Sequence, residues 1–225
     1  MKRSRLETAC FDLSSAIIAA DQGANRLEYA TDYSSGGVTP DIESFRILRE
    51  KTNIPVYILI RCRAGNFLYN ETELLTMEKS IHEFAKAGAD GFVFGCLDEN
   101  NNVDKAANVR LLKAAGSLPC TFHRAIDRTT DLLQALTTII SLGFSCILSS
   151  GGKATAMEGA AMLWKMMEKS DNKITIMPGG GIRSENLQLL TETCPSVWYH
   201  SACIPQGSST IDASELQKML KILQY

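Results

Sequence analysis

Two glutamates stand inside short apolar stretches, Glu7 in LETAC and Glu28 in RLEYA. A carboxylate in an apolar run is costly to bury unless it has a partner or a task, so both are candidates for acid–base work. Arg61 and Arg63 follow a third apolar run in ILIRCRAG. Two residues apart on extended chain, they share a face and can neutralise the glutamates or clamp an anion. TFHRAID brings His123, Arg124 and Asp127 together, an imidazole beside a cation and a carboxylate. Glu7, Glu28, His123 and Asp127 are therefore the candidate catalytic residues, and Arg61, Arg63 and Arg124 the candidate anion holders. The same charges also suit a purely structural ion-pair network. His200 in VWYHSAC is a second imidazole, whereas His82 in EKSIHEFAK reads as a helix residue.

Glycine-rich segments add to the anion reading. MPGGGIRSEN places Gly179, Gly180 and Gly181 before Ser184, a candidate helix cap, and SSGGK offers Ser149, Ser150 and Lys153. Backbone N–H groups in such loops can receive a phosphate or carboxylate, although the same glycines also serve tight turns. SSGGVTP is a third loop of this kind. None of them is a Walker or dinucleotide motif, and no nicotinamide, flavin or pyridoxal signature stands out.

Seven cysteines form an odd, scattered set without a C-x-x-C pair, which fits neither a disulfide framework nor a zinc ribbon. Cys96, Cys120 and Cys146 fall in apolar runs and read as small buried hydrophobes. Cys10, Cys62 and Cys203 lie nearer the ends of such runs and are expected to see more solvent. Copper(I) needs two or more soft sulfur ligands converging, and sequence spacing alone shows none.

The elements that must position these residues form a repeated alternation. LETACF (6–11), RLEYA (26–30), VYILI (56–60), GFVFGCL (91–97), CTFHRAI (120–126), CILSS (146–150), KITIMPG (173–179) and VWYHSA (197–202) read as strands. Amphipathic segments between them read as helices. Ser14 is the expected cap of the first helix, Asn70 with Glu73 a capping box, and Asp104 and Thr130 or Asp131 the caps of later ones. Parallel strands need crossover helices, and eight repetitions predict an α/β fold, a (β/α)8 TIM barrel, as a single domain over residues 1–225. A doubly wound open sheet is the alternative. The 45% hydrophobic and 21% charged composition excludes a disordered chain. A net charge of −2 gives no bulk attraction for nucleic acid or an anionic membrane. No export signal or spanning segment is read, so a cytoplasmic location is expected.

LETAC, GANRLE, SGGVTP, IRCRAGNFLYN, DGFVFG, LDENNNVD, TFHRAID, SSGGKA and MPGGGI, in that order from about Leu6 to Ser201, resemble the CutC family, described as copper homeostasis proteins. The resemblance implies a TIM barrel, a cytoplasmic location, a homodimer and an association with copper. Glu7, Glu28, Arg61, Arg63, Phe67, Tyr69, His123, Arg124 and Asp127 match recurring positions of the family, and Gly36, Gly37, Thr39 and Pro40 its loop after the second strand. Family members often carry a cysteine two residues after each strand glutamate, the usual candidates for copper ligands; here these positions are Ala9 and Ala30. That leaves Cys10, on the opposite strand face from Ala9, and Cys62, between the two arginines, as candidate metal thiols. Three functions are expected to compete: a CutC-like copper-binding homeostasis protein, an enzyme acting by acid–base chemistry on a small phosphorylated or carboxylated metabolite, and a barrel whose mouth is only an ion-pair network.

Overall fold

The structure, a computed structural model, describes residues 3–224. Eight short strands alternate with eight helices in the order the sequence predicts. The strands are β1 (Arg5–Cys10), β2 (Arg26–Tyr29), β3 (Val56–Leu59), β4 (Gly91–Phe94), β5 (Cys120–Phe122), β6 (Cys146–Ser149), β7 (Thr175–Pro178) and β8 (Trp198–Ser201). The helices are α1 (Leu13–Asp21), α2 (Ile42–Lys51), α3 (Glu71–Lys86), α4 (Lys105–Ala115), α5 (Leu132–Leu142), α6 (Ala160–Ser170), α7 (Ser184–Thr193) and α8 (Ala213–Leu223). Each strand pairs in parallel with its sequence neighbours, β8 returns to β1, and a parallel bridge from Gly179 to His200 links the ends of β7 and β8. The sheet is thus a TIM barrel, and the open-sheet alternative falls away.

Strand alternation splits the interior into two zones. Leu6, Cys10, Leu27, Tyr29, Ile58, Phe92, Phe122, Ile147, Ile176 and Tyr199 face outward and pack under the helices in the main core. The opposite face fills the barrel with two smaller apolar patches, Ala30–Tyr57–Leu59–Val93 with Phe11, and Cys146–Leu148–Met177 with Trp198. Other inward positions include the polar Glu7, Glu28, His123 and His200, toward the end where barrels of this kind carry their chemistry. No helix among the described residues is long and apolar enough to cross a membrane.

Local punctuation follows capping chemistry with two corrections. Asn70 and Glu73 form the expected capping box, and Asp104 and Asp131 cap α4 and α5. Asp12, not Ser14, caps α1, accepting the Ser15 N–H at 2.8 Å, because a cap side chain reaches forward two or three residues. Arg183 precedes α7, and Ser184 is already its first residue. β5 also stops at Phe122, earlier than expected, and the chain turns at His123 into a 3-10 segment over Arg124–Arg128.

Gly159, which opens α6, sits back to back with the loop after β6. A Cβ there would lie 1.8 Å from the Ser150 carbonyl oxygen, a backbone atom with little freedom to yield. Gly159→Ala is expected to cost about 2 kcal/mol or more, lowering the melting temperature by roughly 5 °C. Gly116→Ala, with nothing within 4 Å but a φ of +64°, is expected to cost about 1 kcal/mol. Thermal denaturation of the two variants checks the contrast.

Candidate active site

The floor of the mouth is an ion pair that the sequence reading overlooked. Arg26 begins β2 two residues before Glu28, so pleat alternation turns both inward. That spacing was the available signal. The Arg26 Nε–H donates to Glu7 Oε2, and both side chains are almost wholly shielded from solvent. The Tyr57 and Trp198 rings sandwich the guanidinium at 4.2 and 4.1 Å. Of the two tasks open to Arg61 and Arg63, neutralising the glutamates or clamping an anion, the first falls to Arg26, which pairs with Glu7.

His200, one residue from the end of β8, places Nδ1 2.9 Å from Glu7 Oε1. Glu7, Glu28 and His200 each bring a polar atom within 4.8 Å of the others. Burial raises the Glu7 carboxyl, but Arg26 and His200 outweigh it and hold the group below its usual range. Burial and the neighbouring Glu7 charge push Glu28 up from 4.5 to about 7, against the opposing pull of His200 and Arg26. Burial lowers His200, yet the two carboxylates win and raise it. Cations from within the chain thus balance the carboxylates. Glu28 Oε2 nevertheless has no hydrogen-bond partner.

His123 lies on the far arc of the rim, directly after β5. Its Nδ1 accepts the Ala125 N–H at 3.3 Å, and Phe67 packs on the ring at 4.7 Å between centroids. Gly95 makes room, since a Cβ there would stand 2.9 Å from Nδ1. Burial and the nearby Arg61 charge drop the imidazole from 6.5 to about 3, so it is neutral across the physiological range. Its Nε2 has no partner. Arg61 packs on the other side of this neighbourhood, 5.2 Å from the Phe67 ring, and ties loops together by donating to the carbonyls of Ser35, Gly37 and Gly65. Its Nε and the Tyr69 hydroxyl are likewise buried without partners. Arg63 turns away to Glu73 and the Leu68 carbonyl and is not part of this cluster.

The remaining predicted anion holders are largely engaged by the protein itself. Asp127 accepts from Ser149 Oγ at 2.6 Å, from the backbone and hydroxyl of Ser150, and from the Gly152 N–H at 3.1 Å. The SSGGK nest therefore already holds a carboxylate, and Asp127 organises the loop. Arg124 pairs with Asp127 at 2.9 Å and Ser150 Oγ at 2.7 Å. Its Nη1 lies over Gly180, where a Cβ would come within 3.1 Å, and φ is +109° there and +68° at Gly181. Gly179 donates its N–H to the Ser149 carbonyl and supports the turn. The N-terminus of α7 is occupied as well, because Glu215 accepts both the N–H and the hydroxyl of Ser184.

The thiols are placed differently from expectation. Cys10 and Cys203 are fully buried on the helix side, with Cys10 Sγ 3.6 Å from the Thr8 carbonyl and Cys203 Sγ 3.6 Å from Met219 Sδ. Burial pushes both thiols up, disfavouring thiolates. Cys62 is half-buried, and among the described residues the group of donors that converges at the mouth contains no cysteine. Ala9 and Ala30 face the barrel interior where thiols would have stood. A thiolate copper(I) site does not fit these residues.

The CutC family model matches residues 4–204. A human protein named copper homeostasis protein cutC homolog is 38% identical over 196 residues, covering 87% of this chain and 72% of the relative. A Treponema denticola CutC protein is 33% identical across 100% of this chain and 99% of its own length. The crystal structure of a protein from Streptococcus agalactiae assigned as copper homeostasis protein CutC superposes with a TM-score of 0.83 at 30% identity, covering 88% of this chain and 98% of that one. A thiamine phosphate pyrophosphorylase from Pyrococcus furiosus, at 14% identity and a TM-score of 0.64 over 99% and 96% of the two chains, shares the fold alone.

The raised Glu28 group makes the folded state hold its proton more tightly than the unfolded chain does, so stability is lost as pH rises from about 4.5 to about 7. Glu28→Gln removes that loss, and its melting temperature relative to the parent is expected to improve from pH 5 to pH 8; an unchanging difference would contradict the shift. Glu7 contributes the other way, with stability present above its unfolded pKa and lost as pH falls. At pH 7, Glu7→Gln strands a buried guanidinium and is expected to cost about 3–5 kcal/mol in chemical denaturation.

Proposed function

The chain belongs to the CutC family of copper homeostasis proteins, and from that premise we propose that its barrel mouth is the active site of an enzyme acting by acid–base chemistry on a small anionic metabolite. One observation carries this reading. Glu28 Oε2 and His123 Nε2 are buried at the C-terminal strand ends without partners. A network built only for stability gains by pairing such atoms, because an unsatisfied buried polar group costs about 1–3 kcal/mol. They are what a ligand would satisfy.

The roles divide by environment. Glu28, pushed up to about 7, exchanges a proton with substrate, while Arg26 and His200 favour the ionised form of Glu7 and the two carboxylates favour the charged form of His200. His123 donates a hydrogen bond as a neutral ring. Arg124, steadied by Asp127 and Ser150, offers Nη1 over the Gly180–Gly181 turn to the anionic end of the substrate. Arg61 joins the loops that shape the mouth. The family likeness also supports a cytoplasmic homodimer as part of this proposal.

Among the described residues the donors that converge at the mouth include no thiol, so the proposal includes no copper-dependent step. Against a copper(I) chelator, the reduced protein is expected to leave the metal with the chelator, and the Ala9→Cys, Ala30→Cys variant to take up one equivalent. Tight binding by the unaltered chain would reverse this reading. In a thermal-shift series with oxalate, pyruvate, glycerol 3-phosphate and inorganic phosphate, at least one anion is expected to raise the melting temperature. Saturation at 100 times Kd corresponds to about 2.7 kcal/mol. Flat curves throughout would favour the structural ion-pair account.

A further inference from the structure

Resting on the enzyme reading above, we infer that the reaction is proton transfer at a carbon next to a carbonyl, in a small carboxylated oxo compound, with Glu28 carrying the proton and the His123 Nε2–H polarising the carbonyl oxygen.

The tautomer of His123 is fixed by its surroundings. Nδ1 accepts the Ala125 N–H, so the ring proton of the neutral imidazole belongs on Nε2, the atom without a partner. A neutral N–H donor suits an oxygen that gains charge during reaction, because it can strengthen its hydrogen bond without surrendering its proton. Arg61 supplies a second donor in the same place. Both side chains pack against Phe67, and Arg61 Nε is buried without a partner after its other nitrogens have engaged three carbonyls. Two unpartnered donors beside Phe67 and an unpartnered carboxylate oxygen on Glu28 match the two ends of an enolisation. Glu28 on β2 and His123 directly after β5 both turn inward on the C-terminal side of the barrel.

In the step itself, a Glu28 oxygen forms an O–H bond as the substrate C–H bond breaks. The released electron pair becomes the new C=C bond, and the carbonyl π pair moves onto oxygen. The resulting enolate oxygen accepts from His123 Nε2–H and Arg61 Nε–H. Returning the proton from Glu28 to carbon restores the carbonyl, with no oxidant, reductant or second reactant consumed. A carboxylate is favoured over a phosphate because Asp127 already fills the backbone nest after β6 and Glu215 the N-terminus of α7, leaving Arg124 Nη1, beside the engaged Nε and Nη2, as a single donor for the anion.

The test is deuterium uptake in D2O, followed by proton NMR on pyruvate, 2-oxobutyrate and dihydroxyacetone phosphate, with oxalate binding followed by thermal shift. Exchange of the oxo-acid α-protons is expected at least tenfold above buffer, falling roughly 10²–10⁴-fold toward background in Glu28→Gln and in His123→Phe. Exchange confined to dihydroxyacetone phosphate would overturn the carboxylate assignment. Oxalate binding with no exchange on any probe would overturn this inference and leave the enzyme reading standing, whereas neither binding nor exchange would remove both. Nitrogen-15 NMR of His123 gives a readout independent of substrate. Facing Arg61 and Asp127, the ring is expected to keep a protonated Nε2 and bare Nδ1 from pH 5.5 to 8, and a proton on Nδ1 would overturn the proposal.

Discussion

The ion pair between Arg26 and Glu7 is the constraint from which the rest of the mouth follows. An eight-stranded barrel has an interior that side chains must fill, and here the filling includes a guanidinium stacked between Tyr57 and Trp198. The rings supply attractive π faces, and Glu7 supplies the counter-charge. Ionised Glu7 then fixes His200 by a hydrogen bond, and the pair sets the potential felt by Glu28. Three strands, β8, β1 and β2, are thereby committed to one electrostatic unit. The opposite arc is independent of it, since His123 owes its neutrality to burial and Arg61.

Much of this was legible in the chain. The eight strands could be read because continuous apolar runs with short punctuated helices have few other ways to satisfy parallel pairing. Glu7 and Glu28 stood out because a charge inside such a run must have a purpose. Arg26 was missed for the opposite reason: it opens the run RLEYA, where a charge can be taken as the exposed end of a strand, and only the two-residue spacing to Glu28 betrays its inward face. Partner choice was the harder matter. Arg61 and Arg63 had the right type to meet the glutamates, but they lie beyond the last residue of β3, where loop carbonyls and Glu73 are closer. The thiols misled similarly, since proximity to a strand end says nothing about which face a side chain takes, and Cys10 and Cys203 take the helix side.

The substitution of alanine where relatives often have cysteine has a physical reading in this barrel. Ala9 and Ala30 keep the inward positions small above a set of oxygen and nitrogen groups, so the mouth has hard, hydrogen-bonding character rather than soft, sulfur-ligating character.

Asp127 and Glu215 do more than brace their loops. Each sits where backbone N–H groups converge, as a permanent internal occupant tethered at an effective concentration that no solute matches. Inorganic phosphate, abundant in any cell, therefore meets two recesses already taken. The protein's own acidic side chains are built-in competitors: an incoming anion would have to displace a tethered carboxylate to reach either set of N–H groups.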